Sequence, residues 1–223
     1  MHTFATPAPV SAVLDVPAGR VRFIAADRND TTVEVLPADA SRSRDVRAAE
    51  RVTVDHADGV LRIETPEPGN QLFGPSGAVE VTVQLPAGSR VEAKAASAEL
   101  RGVGRLGDVT FEGAQGPVKL DEAASARITL LDGDVSIGRL GGSTRISVQK
   151  GDITITEAVD GQVELRTESG RISIDTAPGV SASLDSHTSY GRVHNALNNT
   201  EGADAGLRIR ATTSYGDITA RGL

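Results

Sequence analysis

The chain has 223 residues, 39% apolar but only 3% aromatic, and its 30 acidic residues against 23 basic ones give a net charge of −7. That balance argues against a nucleic-acid role driven by phosphate neutralisation, and the lack of cysteine excludes disulfides, thiolate nucleophiles and thiolate metal sites. So few aromatics fit a thin core of Val, Ile and Leu ladders better than a bulky sandwich.

Residues 1–15 show neither the basic nor the apolar part of a signal peptide, and no run reaches the ~18 apolar residues of a membrane span. The chain as given therefore reads as cytoplasmic, or as a cell-surface protein if a leader or anchor lies outside it. Ala12–Val16, Pro17-Ala-Gly19 and Val21–Phe23 predict strand, turn and strand, a hairpin. Thr31–Leu36 predicts another strand, and residues 39–51 form a charged segment that suits one short helix or a loop. Arg51–Asp55 and Val60–Thr65 flank an Asp58-Gly59 turn, again a strand pair. Residues 66–77 hold too many Pro and Gly for regular structure and predict a loop, with Leu72-Phe73 tucked against the sheet. Val79–Leu85 alternates cleanly as a half-buried strand, and Pro86-Ala-Gly88 echoes Pro17-Ala-Gly19, suggesting two related hairpins.

From Val91 onward the chain repeats. Leu131-Asp-Gly-Asp-Val-Ser-Ile137, Gln149-Lys-Gly-Asp-Ile-Thr-Ile155 and Glu168-Ser-Gly-Arg-Ile-Ser-Ile174 are one phrase three times, with Gly133, Gly151 and Gly170 spaced 18 and 19 residues apart. Each phrase ends in an apolar-polar-apolar triplet, the mark of a strand buried on one face. A second set of triplets interleaves with it: Ile128-Thr-Leu130, Ile146-Ser-Val148 and Val163-Glu-Leu165. Such short strands bury their apolar faces only by stacking. The prediction is an all-β fold: a single-chain parallel β-solenoid (β-helix) of about 18–19 residues per rung at residues 91–223, capped by an N-terminal antiparallel β region at residues 1–90. Ile128, Ile146 and Val163 are expected in one interior column, with Val91 and Val109 earlier on the same spacing, and Val135, Ile153 and Ile172 in another. Thr188-Ser-Tyr-Gly191 returns as Thr213-Ser-Tyr-Gly216 after a polar loop, which should stack Tyr190 on Tyr215.

These motifs carry a resemblance. The Pro-Ala-Gly strand pairs, Phe73-Gly-Pro-Ser-Gly77, Leu85-Pro-Ala-Gly-Ser89, the Gly-Asp-Ile/Val-x-Ile phrases and the closing Thr-Ser-Tyr-Gly-Asp-Ile-Thr resemble the DUF4097 family of bacterial β-strand-repeat proteins, labelled adhesin-like. The resemblance spans essentially the whole chain. It implies binding at or near the cell envelope, some relatives being linked to envelope stress, and it carries over no catalytic, cofactor or metal residue.

The residues themselves offer little chemistry. Asp132, Asp134 and Asp152 stack at one corner, which could gather oxygens round a cation or stand as a solvated acidic edge. Asp121, Glu122, Glu157, Glu168 and Asp175 lie near corners with no repeated pairing, whereas glycosidic cleavage uses paired acids. His2, His56, His187 and His194 lack ligand spacing and read as turn residues. No catalytic, cofactor or metal site is assigned. The candidate binding surface is Ser136, Thr154, Ser173, Tyr190 and Tyr215, outward positions that suit repeated hydrogen bonding to an unknown protein or polysaccharide. Membrane insertion and nucleic acid are not expected, and an end-to-end homodimer through the C-terminal rung is an assembly this geometry allows. The expected function is a non-enzymatic binding or scaffold protein, the alternative a carbohydrate-active β-helix enzyme, a polysaccharide lyase or hydrolase.

Overall fold

Residues 1–66 and 77–223 are described by a computed structural model; the loop expected at 66–77, with its Leu72-Phe73 pair, falls almost wholly outside them. The described chain is all-β, one large mixed sheet of 17 strands that does not close on itself. In chain order these are β1 (His2–Ala5), β2 (Ser11–Ala26), β3 (Asp30–Pro37), β4 (Thr53–Ala57), β5 (Val60–Glu64), β6 (Val79–Pro86), β7 (Arg90–Gln115), β8 (Val118–Asp132), β9 (Val135–Leu140), β10 (Thr144–Lys150), β11 (Ile153–Ala158), β12 (Gly161–Ser169), β13 (Ile172–Thr176), β14 (Ala182–Tyr190), β15 (Val193–Ala196), β16 (Leu207–Tyr215) and β17 (Ile218–Gly222). The charged segment before β4 is a helix, α1 (Ser43–Arg51). It packs beside β3 and β6, and its buried Asp45 accepts the Ala78 N–H at 3.0 Å.

Period-2 alternation sets the architecture. In Thr144–Lys150, Thr144, Ile146 and Val148 are buried while Arg145 is exposed, and the strand pairs in parallel with β8 on one side and β12 on the other. β11 likewise lies between β9 and β13. The chain thus builds two parallel ladders, one from the first strand of each rung and one from the second. Their inward residues join a single core, in which each fully buried Val, Leu or Ile contributes roughly 1.5–3 kcal/mol.

At both ends the spatial order departs from chain order. β16 sits between β12 and β14, and β17 between β13 and β15, so the last rung in sequence is the penultimate one in space. Likewise β2 is flanked by β5 and β6 on one side and by β7 on the other, all parallel.

This corrects several expectations. Ser11–Ala26 is one continuous strand rather than a hairpin; Gly19, at φ 135°, turns the chain from one ladder to the other instead of reversing it. Pro86-Ala-Gly88 likewise leads from β6 into β7 without pairing them. The N-terminal region is mixed rather than antiparallel. β3–β6, β1–β3 and β4–β5 are antiparallel and form the outer edge, but parallel pairing already begins at Ser11, and the sheet crosses residue 90 without a break. The first interior column is also displaced. Ile146 stands beside Ile128 and Leu165, while Val163 is beside Thr144, and Val109 beside Ala126. A slip of two residues keeps every side chain on its face, so all five residues on that spacing are buried all the same. The Val135–Ile153–Ile172 column is as expected.

Candidate functional site

The repeated Gly-Asp phrase is a corner. The Gly133, Gly151, Gly170 and Gly216 N–H groups each donate to a carbonyl on the next rung, at 2.9 Å in every case. At Gly151, φ is 148° and the backbone of the neighbouring rung lies so close that an added Cβ would strike the Gly133 carbonyl oxygen, so only glycine fits. The aspartate that follows ties the rungs. Asp134 accepts the Asp152 N–H at 2.8 Å, and Asp152 in turn takes the Arg171 N–H at 2.7 Å and its guanidinium at 2.9 and 3.1 Å. Lys150 lies 3.7 Å from Asp132. The three acids weighed as a cation corner are therefore engaged one by one between rungs. Among the described residues no group of three or more His, Asp or Glu is arranged to hold a metal.

Of the five other acids weighed for chemistry, three are tied down in the same way among the described residues, and Glu122 and Glu168 are not. Asp121 meets Arg101 at 2.5 Å, Asp175 meets Arg221 at 3.0 Å, and Glu157 is paired with Arg139. The histidines lie on strands, His2 in β1, His56 in β4, His187 in β14 and His194 in β15, which corrects the turn assignment.

Of the candidate binding residues, Ser136, Thr154 and Ser173 stand in register on adjacent strands of the second ladder, and Thr219 continues them. Tyr190 and Tyr215 end first-ladder strands. Their rings stack 5.0 Å apart, 3° from parallel, and both are well exposed. The five residues thus occupy two places rather than one column.

A groove that sequence reading missed runs over the outward face of the first ladder, with a volume of about 880 Å³. Five arginines line it, Arg90, Arg127, Arg145, Arg208 and Arg210, against three carboxylates, Asp108, Glu164 and Asp185. Arg127 and Arg145 are in register on adjacent strands. Arg145 bonds Glu164 at 2.8 and 2.9 Å, and Arg210 bonds Asp185 at 3.1 Å. Arg208 stands between Gln162 and Ser183. The signal was present as a recurring Arg-Ile pair, Arg127-Ile128, Arg145-Ile146 and Arg208-Ile209, with the isoleucine inward and the arginine outward.

A family model described as Toastrack DUF4097 matches residues 12–221. No curated protein matches the chain. Similar solved structures include a "putative adhesin" from Bacteroides fragilis (12% identity, TM-score 0.47, covering 100% of this chain and 95% of that one). A "putative adhesin" from Parabacteroides distasonis is similar too (13%, 0.45, 100% and 95%), as is a "putative cell adhesion protein" from Clostridium sporogenes (10%, 0.43, 100% and 98%).

Proposed function

The chain belongs to the Toastrack DUF4097 family, and from that premise we propose that it is a non-enzymatic, adhesin-like binding or scaffold protein, linked to the bacterial envelope or its stress response. It works by presenting a rigid, repetitive surface to a protein or polysaccharide. In this reading the two ladders are the faces of a parallel β-solenoid of about 18–19 residues per rung, and residues 1–90 act as the cap for the repeats of 91–223. Ser136, Thr154 and Ser173, with Tyr190 and Tyr215 as a second patch, are contact positions on that surface.

The observation that carries the reading is how the charged residues are used. Arg171 with Asp152, Arg101 with Asp121, Arg139 with Glu157 and Arg221 with Asp175 bond from rung to rung. Acids held in this way stabilise a surface rather than converge on one reacting bond. Among the described residues no helix is long and apolar enough to cross a membrane.

An end-to-end dimer belongs to the same proposal, with one change of place. Among the described strands, β14 pairs only with β16 and β15 only with β17, so the open edge is 182–196 rather than the C-terminal strands. Light scattering should show a dimer that reverts to monomer when Pro is placed along 183–189.

The direct test of the binding reading is affinity electrophoresis through gels holding single envelope polysaccharides. Retardation by at least one polymer, weakened by Thr154→Asp or by Tyr190→Ala with Tyr215→Ala, is the expected result. Migration unaffected by every polymer, together with no retention on envelope protein fractions, would contradict it.

A further inference from the structure

We propose that the arginine-lined groove of the first ladder binds an extended acidic polysaccharide, a hydroxyl-rich chain with spaced carboxylates, lying across the strands. This rests on the binding-surface reading and names the site and ligand class within it.

Like charges directly opposite on adjacent strands are destabilising, and the groove holds such a pair, as the Arg22, Arg101 and Lys119 row does elsewhere. Here Arg127 and Arg145 face each other. Arg145 has Glu164 and Arg210 has Asp185, but none of Arg90, Arg127 and Arg208 has a carboxylate partner among the described residues, and all three are exposed. Three guanidinium groups are thus left free in the groove of a chain whose net charge is −7. A guanidinium presents a planar fork that takes a carboxylate in two parallel bonds.

The rest of the lining selects the carrier. Thr110, Ser125, Ser143, Gln162 and Ser183 place hydroxyls and an amide beside the arginines, matching a chain rich in hydroxyls. Glu164 and Asp185, interspersed with the arginines, repel a chain charged at every unit and admit one whose charges are spaced. The groove crosses seven strand segments, from that of Arg90 to that of Asp185, about 29 Å at the ~4.8 Å strand spacing. Nucleic acid is disfavoured, because no aromatic side chain lines the groove to stack a base. An extended peptide adds to a sheet edge, whereas this floor is a sheet face whose strands, apart from β14 at one end, are already paired on both sides.

The test is affinity electrophoresis of the full chain in gels containing hyaluronate, which alternates a uronate with a neutral sugar. Dextran, poly-L-glutamate and oligodeoxythymidylate run as separate arms. Hyaluronate should retard the protein, and more so at low salt. The double variant Arg127→Gln/Arg208→Gln should weaken retardation at least tenfold, Arg127→Lys/Arg208→Lys by less, and Arg171→Gln, outside the groove, hardly at all. Since Arg127 and Arg208 hold no ion pair and Arg127 faces Arg145, thermal melting of the Gln variant should match or slightly exceed that of the parent. No retardation by hyaluronate, an equal effect of Arg171→Gln, or tighter binding of poly-L-glutamate or DNA would each overturn the proposal. Shortening of the hyaluronate would instead contradict the non-enzymatic reading and leave the groove as its site.

Discussion

The Thr213 hydroxyl donates to the carbonyl of Gly170, 3.1 Å away on the adjacent rung, from a side chain that is fully buried. Thr167 does the same to Gly151 and Thr188 to Gly216, each at 3.0 Å. Each of these threonines stands three residues before a corner glycine, so Thr-x-x-Gly is a corner device: the threonine of one rung satisfies the glycine carbonyl of its neighbour. Thr213→Val keeps the shape and removes the bond. It should lower unfolding free energy by about 1–2 kcal/mol in urea titration, with no change in secondary structure.

Gly151→Ala should be far more damaging than Gly59→Ala. Both glycines have positive φ, 148° and 76°, so both substitutions carry backbone strain. An added methyl at Gly59 meets open space, whereas at Gly151 it meets the Gly133 carbonyl. The expected losses are about 1–2 kcal/mol at Gly59 and upwards of ~4 kcal/mol at Gly151, compared by urea midpoint.

At the same corner the outward and inward faces can be told apart by charge. Arg171→Glu removes an exposed ion pair with Asp152, for which a change near or below ~1 kcal/mol is expected. Ile153 is fully buried, and Ile153→Asp should cost several kcal/mol as an unpaired buried charge. Equal destabilisation by the two would contradict the assignment of faces.

The interleaved ends make the termini structural. A chain ending at residue 206 lacks β16 and β17, the strands that join β12 and β13 to β14 and β15. A chain beginning at Val91 lacks the β2 partner of β7 and leaves that edge open. Both should aggregate or unfold in size-exclusion chromatography and circular dichroism. A soluble, cooperatively melting chain from Val91 would remove the capping role given to residues 1–90.

Much of this was legible in the sequence because alternation reports the face of each residue directly. Val135, Ile153 and Ile172 could be placed together, and so could Tyr190 and Tyr215. Alternation does not report the neighbour. Nothing local to Leu207–Tyr215 says that it enters between β12 and β14, since its apolar positions would suit a terminal rung as well. Nor does a turn such as Pro17-Ala-Gly19 reveal whether it reverses the chain or bends it onto the next face, because both need positive φ. The groove stayed hidden for the same reason. Arg127 and Arg145 are 18 residues apart, but Arg210 is 46 residues beyond its neighbour Glu164, and only the register brings them to one surface.

The central claim, a binding surface without turnover, is tested most directly by reducing-end release from a panel of envelope and uronate polysaccharides during prolonged incubation with the full chain. No release above the protein-free blank is expected for any polymer, including those that the protein retains. Release that is lost in Asp134→Asn or Asp152→Asn, with melting temperature and circular dichroism unchanged, would contradict it and establish a lyase or hydrolase instead.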